Sequence, residues 1–438
     1  MIRDSFTPLR RPAFRFLLLG RTVNTLGSTF APIALAFAVL DLTGSVTDLG
    51  LVVGARTIVN VVFLLFGGVL ADRLPKHLLM VGASACAAVT QGAVAALVLT
   101  HHATIPLLIA LSAANGMVSA LSMPASSAIL PQTVPAEERQ QANALNRLFF
   151  NAAAVVGAPV AGVVVATVGP GWGIAVDAAT FVLAGLSFAA LRVPRPASVA
   201  PPPEPAAPLG GAEFTPGEPS GEGRKGIFAD LLTGWGEFRS RTWLWAVVAG
   251  FCVLNAAWSG ALNVLGPTVA DGTIGRQAWG FVLGAQTVGM ILGALVAMRL
   301  RLHRMLFFGT ACTALLALPM FALGAAPQVA VLMVAAFVAG VGLEQFAVAW
   351  ETTMQEHIPP AKLARVYSYD MVGSFIAIPV GEIVVGPVAQ AAGVEMTLIG
   401  AGILVVLSVL GMLSSSDVRQ LRHRLPSKAP ATMEELPA

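Results

Sequence analysis

Long apolar runs broken by short polar punctuation dominate this chain, and neither a strand-like alternation nor a soluble-helix stripe organises it. Marking runs between charged or Pro/Gly-rich breaks predicts twelve helices. The first six cover about 14 to 40, 46 to 71, 77 to 100, 105 to 130, 138 to 168 and 172 to 191; the second six cover about 242 to 270, 277 to 300, 304 to 325, 328 to 357, 362 to 391 and 394 to 414. A bilayer core about 30 Å thick needs about 20 apolar residues per spanning helix. Runs of that length recur throughout, so an all-α integral membrane protein with twelve spans is expected. The first run follows Arg10, Arg11 and Arg15 but ends at "DLTGS" without a small-residue cleavage site, and reads as a retained helix.

One break differs from the others. "RVPRPASVAPPPEPAAPLGGAEFTPGEPSGEGRKG" cannot bury enough apolar surface to order itself, which predicts a flexible cytoplasmic linker over 192–227. It separates an N-terminal six-helix bundle, 1–191, from a C-terminal one, 242–414, followed by a cytoplasmic tail, 415–438. Phe228, Leu231, Leu232, Trp235 and Phe238 recur at helical spacing, so 228–241 reads either as an interfacial amphipathic helix or as an extension of the seventh span. The halves also resemble each other. "LGLVVGARTIV" (49–59) opens helix 2 as "WGFVLGAQTVG" (279–289) opens helix 8; "VPAEERQQANAL" (134–145) enters helix 5 as "IPPAKLARVYSY" (358–369) enters helix 11. A parallel duplication of this kind is a transporter pattern.

Composition supports the membrane reading, with 56% hydrophobic and 11% charged residues, against roughly a quarter charged in soluble domains. Charge then sets orientation. With both termini inside, the inner segments take nearly all of the 26 Lys and Arg residues, leaving only Arg56 and Arg276 outside the pattern. That predicts a multi-pass protein of a bacterial-type cell (inner) membrane with both ends cytoplasmic. The scatter of basic residues through short loops argues against nucleic acid. Cys86, Cys252 and Cys312 fall in three different helices, and the six histidines lack ligand spacing, so no metal or other cofactor is expected. No nucleophile, base and orienting residue recur in one loop, which argues against an enzyme. The phosphate loop G-x-x-x-x-G-K-[ST] is absent, leaving an ion gradient or the substrate's own gradient as the energy source.

"GGVLADRLPKH" (67–77) resembles the G-x-L-A-D-R-x-G-R-K signature of the major facilitator superfamily. Gly68, Leu70, Ala71, Asp72 and Arg73 match, Lys76 and His77 take the basic positions, and Pro75 replaces the second glycine. "MPASSAILPQTVPAEERQQANAL" and "AWETTMQEHIPPAKLARVYSYDMVGS" look like the branch containing the enterobactin exporter, macrolide-efflux and secretion-effector permeases. The resemblance implies two six-helix bundles rocking about a central cavity and a cytoplasmic gate of Gly68, Asp72, Arg73, Lys76, Glu351, Arg365 and Asp370. Many proton-driven exporters of the superfamily carry an Arg in helix 4 four residues before a Gly; here Ser112 holds that place, so that coupling role does not carry over.

Ionisable groups inside the bilayer are costly and therefore candidates for mechanism. Arg56 lies on the order of 15 Å along helix 2; it reads as a cation that attracts an anionic substrate or pairs with a carboxylate, or as a structural partner of Asp41 or Asp48 at the outer mouth. Glu344 reads as a proton-exchanging carboxylate or as one satisfied by Gln345 or neighbouring helices. Glu351, seven residues on, shares its face and is expected to pair with Arg365. Glu382 is a further candidate, whereas Asp177 reads as an outer-side structural group, because helix 6 lies outside the cavity in this superfamily. Asn24, Asn146 and Asn255 belong to helices that the resemblance places at the cavity, as ligand donors or as interhelical glue. Phe30, Trp258 and Trp350 are candidates for an apolar pocket lining.

These features favour a secondary active exporter of a small, fairly apolar or amphiphilic molecule (drug, antibiotic or siderophore), coupled to protons and acting as a monomer in the lipid bilayer. A lipid or lysolipid flippase of the same fold is an alternative, and a transport-inactive sensor or assembly partner is another.

Overall fold

The computed structural model describes residues 4–73, 76–191, 236, 238–300 and 302–422; the side chains of 4–6, 64–76, 121–128, 131, 136, 140, 360–365 and 368 fall outside that description. Among the described residues twelve long helices follow one another. The first half contains α1 (Pro12–Thr43), α2 (Val46–Arg73), α3 (Lys76–Leu99), α4 (Ile105–Ile129), α5 (Arg139–Val168) and α6 (Pro170–Ala189). The second contains α7 (Thr242–Gly272), α8 (Arg276–Ala297), α9 (Met305–Ala325), α10 (Val329–His357), α11 (Pro360–Phe375, resuming as Ile378–Ala392) and α12 (Val394–Ser414). Eleven described helices are long and apolar enough to cross a membrane, and α4 carries a shorter apolar stretch, Ile105–Ala120. With an even number of antiparallel spans, the start of α1 and the end of α12 lie at one end of the bundle, here the terminal end; the opposite end is the distal end.

The apolar runs between polar breaks place the helix ends to within about three residues, because a bilayer-length apolar run has no other way to satisfy its backbone. Gly44, Gly169, Gly275 and Gly393 adopt positive φ where helices are punctuated, and Gly44 donates its N–H to the Leu40 carbonyl, closing α1.

Proline explains the irregular spans. Pro379 cannot donate to the Phe375 carbonyl, and α11 breaks there. Pro319 likewise follows a tightened turn, Thr313–Leu316, in α9. In α7 the ring of Pro267 crowds the Asn263 carbonyl, and the preceding turn, Gly260–Leu265, widens into a π-helix. The irregular turns of α7 and α9 are largely buried inside protein, where the bilayer tolerates them, whereas Phe375 and Ile376 at the α11 break are exposed.

The duplicated segments make the junction between the halves. α2 packs on α11, and α8 packs on α5. At Gly280 a Cβ would stand 2.5 Å from the Ala158 carbonyl oxygen and 2.9 Å from the Gly162 Cα, so these backbones meet because neither position has a side chain. Toward the distal end, Gln390 donates to Thr47 Oγ1 at 2.9 Å. Arg276, at the start of α8, bridges Asp41 at the end of α1 and Asp271 at 2.7 Å, and stacks over the Phe37 ring at 4.8 Å. This accounts for Arg276, which positive-inside distribution leaves unexplained. It also takes Asp41 away from Arg56, correcting the expected Arg56–Asp41 pair: an arginine at the mouth competes better than one buried ten residues deeper in α2.

Candidate functional site

The intramembrane charges gather around Arg56. The carboxylates that act on it electrostatically are Asp177 of α6, in its own half, and Glu382 of α11, in the other. Among the described residues it makes no ion pair within 4 Å. Asp177 is 0% exposed, and its Oδ2 accepts from Gln91 Nε2 of α3 at 2.5 Å while Oδ1 has no donor among the described residues. It is the eighth of the 20 residues of α6, nearer the distal end, and faces the interior, where Gly27 of α1 leaves it room: a Cβ at Gly27 would stand 2.9 Å from Oδ1.

Glu382 is 2% exposed and is reached by a chain of donors from α7. Ser259 donates to its Oε1 at 2.5 Å, and Asn263 Nδ2 donates to Ser259 Oγ at 2.8 Å and weakly to the same carboxylate oxygen at 3.4 Å. The π-helical turn brings Ser259 and Asn263 to the same carboxylate. Among the described residues Glu382 Oε2 has no hydrogen-bond donor, and the nearby Thr57 hydroxyl donates to the Val53 carbonyl at 3.1 Å. Ser259, Asn263 and Gln91 escaped sequence reasoning because uncharged polar residues are common in membrane helices. Pro267 closely following Asn263 was the one available signal.

Two cavities meet at Arg56. The larger, about 480 Å³, lies within the first half, where Arg21, Asn24 and Asn146 join Arg56 beside the apolar Met80, Phe150, Phe181 and Phe188. The other, about 320 Å³, crosses between the halves, lined by Pro32, Leu35 and Val53 together with Thr57, Asn60, Asn263 and Glu382. Arg56 lines both.

Other expected residues sort differently. Asn24 and Asn146 do line the larger cavity, and Asn146 Oδ1 accepts from Arg21 at 2.9 Å. Asn255 Nδ2 donates instead to the Ser374 carbonyl at 2.9 Å, joining α7 to α11, which is the glue reading. Glu344 is not satisfied by Gln345, which donates to the Gly293 carbonyl at 2.6 Å; it faces Arg147 of α5 across the halves at 3.6 Å. Glu351 is exposed and accepts from Gln355 at 3.2 Å rather than joining Glu344 in the interior. Asp370 accepts from Trp350 Nε1 at 3.0 Å and from Ser374 at 3.2 Å, so its described hydrogen bonds stay within the second half. Phe30 and Trp350 are buried core residues, Trp350 stacking with Phe346 at 5.8 Å.

The side chains of Gly68, Asp72, Arg73, Lys76 and Arg365, and with them the expected gate contacts, lie outside the described residues. So do the linker, residues 228–235 and 237, and 423–438. Phe238 is described and packs against Tyr369 at 5.9 Å. Among the described residues no group of three His, Cys, Asp or Glu side chains could hold a metal ion, and the three cysteines are unpaired.

Comparison with solved structures matches this arrangement over nearly its whole length. A bacterial homolog of the human lysosomal transporter Spinster, in an inward-facing and unoccupied conformation, superposes with a TM-score of 0.70 at 14% identity, covering 93% of this chain and 97% of that one. The nucleoside transporter NupG gives 0.67 at 13% identity, covering 92% and 98%. An inward-facing bacterial homologue of the iron transporter ferroportin gives 0.65 at 14% identity, with 92% and 98% covered. At such identities the likeness concerns the fold alone. Among curated protein sequences none matches. The family model for the Major Facilitator Superfamily matches residues 17–381, and the chain therefore belongs to that family of membrane transporters, which are not enzymes.

Proposed function

We propose that this transporter is a secondary active exporter of a small, fairly apolar or amphiphilic molecule, of the drug, antibiotic or siderophore kind, working by alternating access with proton antiport. The observation that carries the reading is the division of charge across the junction: Arg56 and Arg147 belong to the first half, and Glu382 and Glu344 to the second. Protonating either carboxylate weakens attraction between the halves. That is what a proton must do to change which side is open. The terminal end is the cytoplasmic one in this proposal, and the molecule acts as a monomer in the cell membrane.

The distal contacts, Arg276 with Asp41 and Gln390 with Thr47, then close the outer side, while the larger cavity takes substrate from within. The cytoplasmic gate of Gly68, Asp72, Arg73, Lys76, Glu351, Arg365 and Asp370 closes once substrate has bound, before the distal contacts part. The segment 192–227 is the tether that lets the halves, 1–191 and 242–414, rock independently.

The test is reconstitution of the full chain in proteoliposomes with an acidic lumen. A panel of labelled amphiphilic drugs and a catecholate siderophore is offered outside. Concentrative uptake of a panel member that collapses on adding a protonophore is expected. Equal uptake with and without the gradient would remove the antiport element, and protein-independent uptake of every member would overturn the exporter reading.

A further inference from the structure

The proposed export leaves the charge of the substrate open, and the larger cavity addresses it. Of the described residues lining that cavity, the two ionisable ones, Arg21 and Arg56, are both cations, and none is a carboxylate. They come from α1 and α2. Asn146 accepts from Arg21 at 2.9 Å, orienting its guanidinium, while no described residue forms an ion pair with Arg56. The two carboxylates that act on Arg56 stand outside this cavity. Asp177 is engaged by Gln91 and Glu382 by Ser259. Acting through space, they offset part of the cost of a buried guanidinium and leave its donors for a ligand. The same cavity is lined by Phe150, Phe181 and Phe188, with Ser28, Ser84 and Ser119 among its polar residues.

We infer that this cavity binds an anionic amphiphile, with a single acidic head (carboxylate, sulfonate or phosphate ester) at Arg56 and Arg21 and its apolar body against the three phenylalanines. A guanidinium fork binds such heads in a two-pronged way that an ammonium cannot reproduce, and it does so most strongly away from water. A cavity of about 480 Å³ suits one molecule of drug size. A cationic amphiphile meets two like charges there and is rejected. Glu382 sits on the other half, so its influence on Arg56 changes whenever the halves move. Head-group affinity is thereby tied to the transport cycle.

This inference rests on the exporter reading, yet its test is equilibrium binding, which does not need transport. The probes are 11-(dansylamino)undecanoate, its neutral methyl ester and its trimethylammonium counterpart, added to the purified full chain in a nonionic detergent. Dansyl fluorescence reports occupancy. The anion is expected to bind at least tenfold more tightly than either analogue. Arg56→Gln and Arg21→Gln should each weaken the anion about tenfold and leave the ester unchanged, and Arg56→Lys should recover part of the loss. Should Arg56→Gln fail to fold, Arg21→Gln and a salt titration of the wild type carry the same comparison. Equal binding of all three probes, preference for the cation, or indifference to both arginine substitutions would overturn the inference. Retained anion preference without gradient-driven transport would overturn the export reading instead.

Discussion

Arg147 and Glu344 face each other across the two halves at 3.6 Å, the guanidinium side chain 76% exposed and the carboxylate side chain 11% exposed. One partner is wet and the other nearly dry, so the pair itself contributes little stability. It can nevertheless report on proton binding at the buried end. Glu344→Gln should reduce gradient-driven transport at least tenfold while leaving the folded yield in detergent unchanged. Arg147→Gln should do the same, and the double variant should be no worse than either, since both remove one contact. Unimpaired, gradient-dependent transport by Glu344→Gln would take this carboxylate out of coupling.

The distal contact offers a second handle. Arg276 holds Asp41 of the other half together with Asp271 of its own. Partly exposed pairs of this kind are worth about 1 kcal/mol, a factor of about five in a two-state equilibrium. Asp41→Asn should therefore speed labelling, by about that factor, of a cysteine placed at Leu35 with a reagent applied from the distal side. Unaltered labelling would show that the contact does not hold that side closed.

Gly280 tests whether the close approach of α8 and α5 is needed. Its missing Cβ lies where the Ala158 carbonyl and Gly162 already stand. Gly280→Leu should keep membrane insertion but lower transport at least tenfold, and it should speed the same distal labelling. Neighbouring Gly275, with positive φ at the α8 N-cap, supplies a contrast: Gly275→Ala strains one turn and should lower the melting temperature while leaving labelling alone.

Outside the membrane, Arg11 ties the start of α1 to Glu138 ahead of α5 through two contacts of 2.7 and 2.8 Å. The hydrogen bond from Arg11 holds the Glu138 carboxyl below its usual range. A carboxylate with a lowered folded pKa gives stability that is present above the unfolded value, about 4.3, and fades as pH falls through the folded one. The melting temperature of Glu138→Gln should thus fall below that of the wild type at pH 7, and the gap should close below about pH 4. A gap of constant size would mean that the pair is not the cause.

The fate of individual charges shows how much the sequence carried. Arg56 was visible as a cation out of place, because nothing in a hydrophobic run hides a guanidinium. Its surroundings were invisible: Asp177 and Glu382 both lie far downstream of it in the chain, and only the packing of α6 on α1 and α3, and of α11 on α2, brings them to one point. Glu344 was likewise visible, but the sequence offered Gln345 as its partner, whereas adjacent helical residues point in different directions and Gln345 turns to the Gly293 carbonyl.

Apolar runs of bilayer length, their punctuation by glycine and proline, and the internal repeat are local properties, so the sequence by itself determined the twelve helices and the division into two related halves. Which polar groups meet is a matter of helix rotation and crossing. That is set by small-residue contacts such as Gly280 with Gly162, and by the widened turn that sends Ser259 and Asn263 to Glu382. Lipid provides no polar partner, so each buried charge must find one on another helix, and only the tertiary structure decides which.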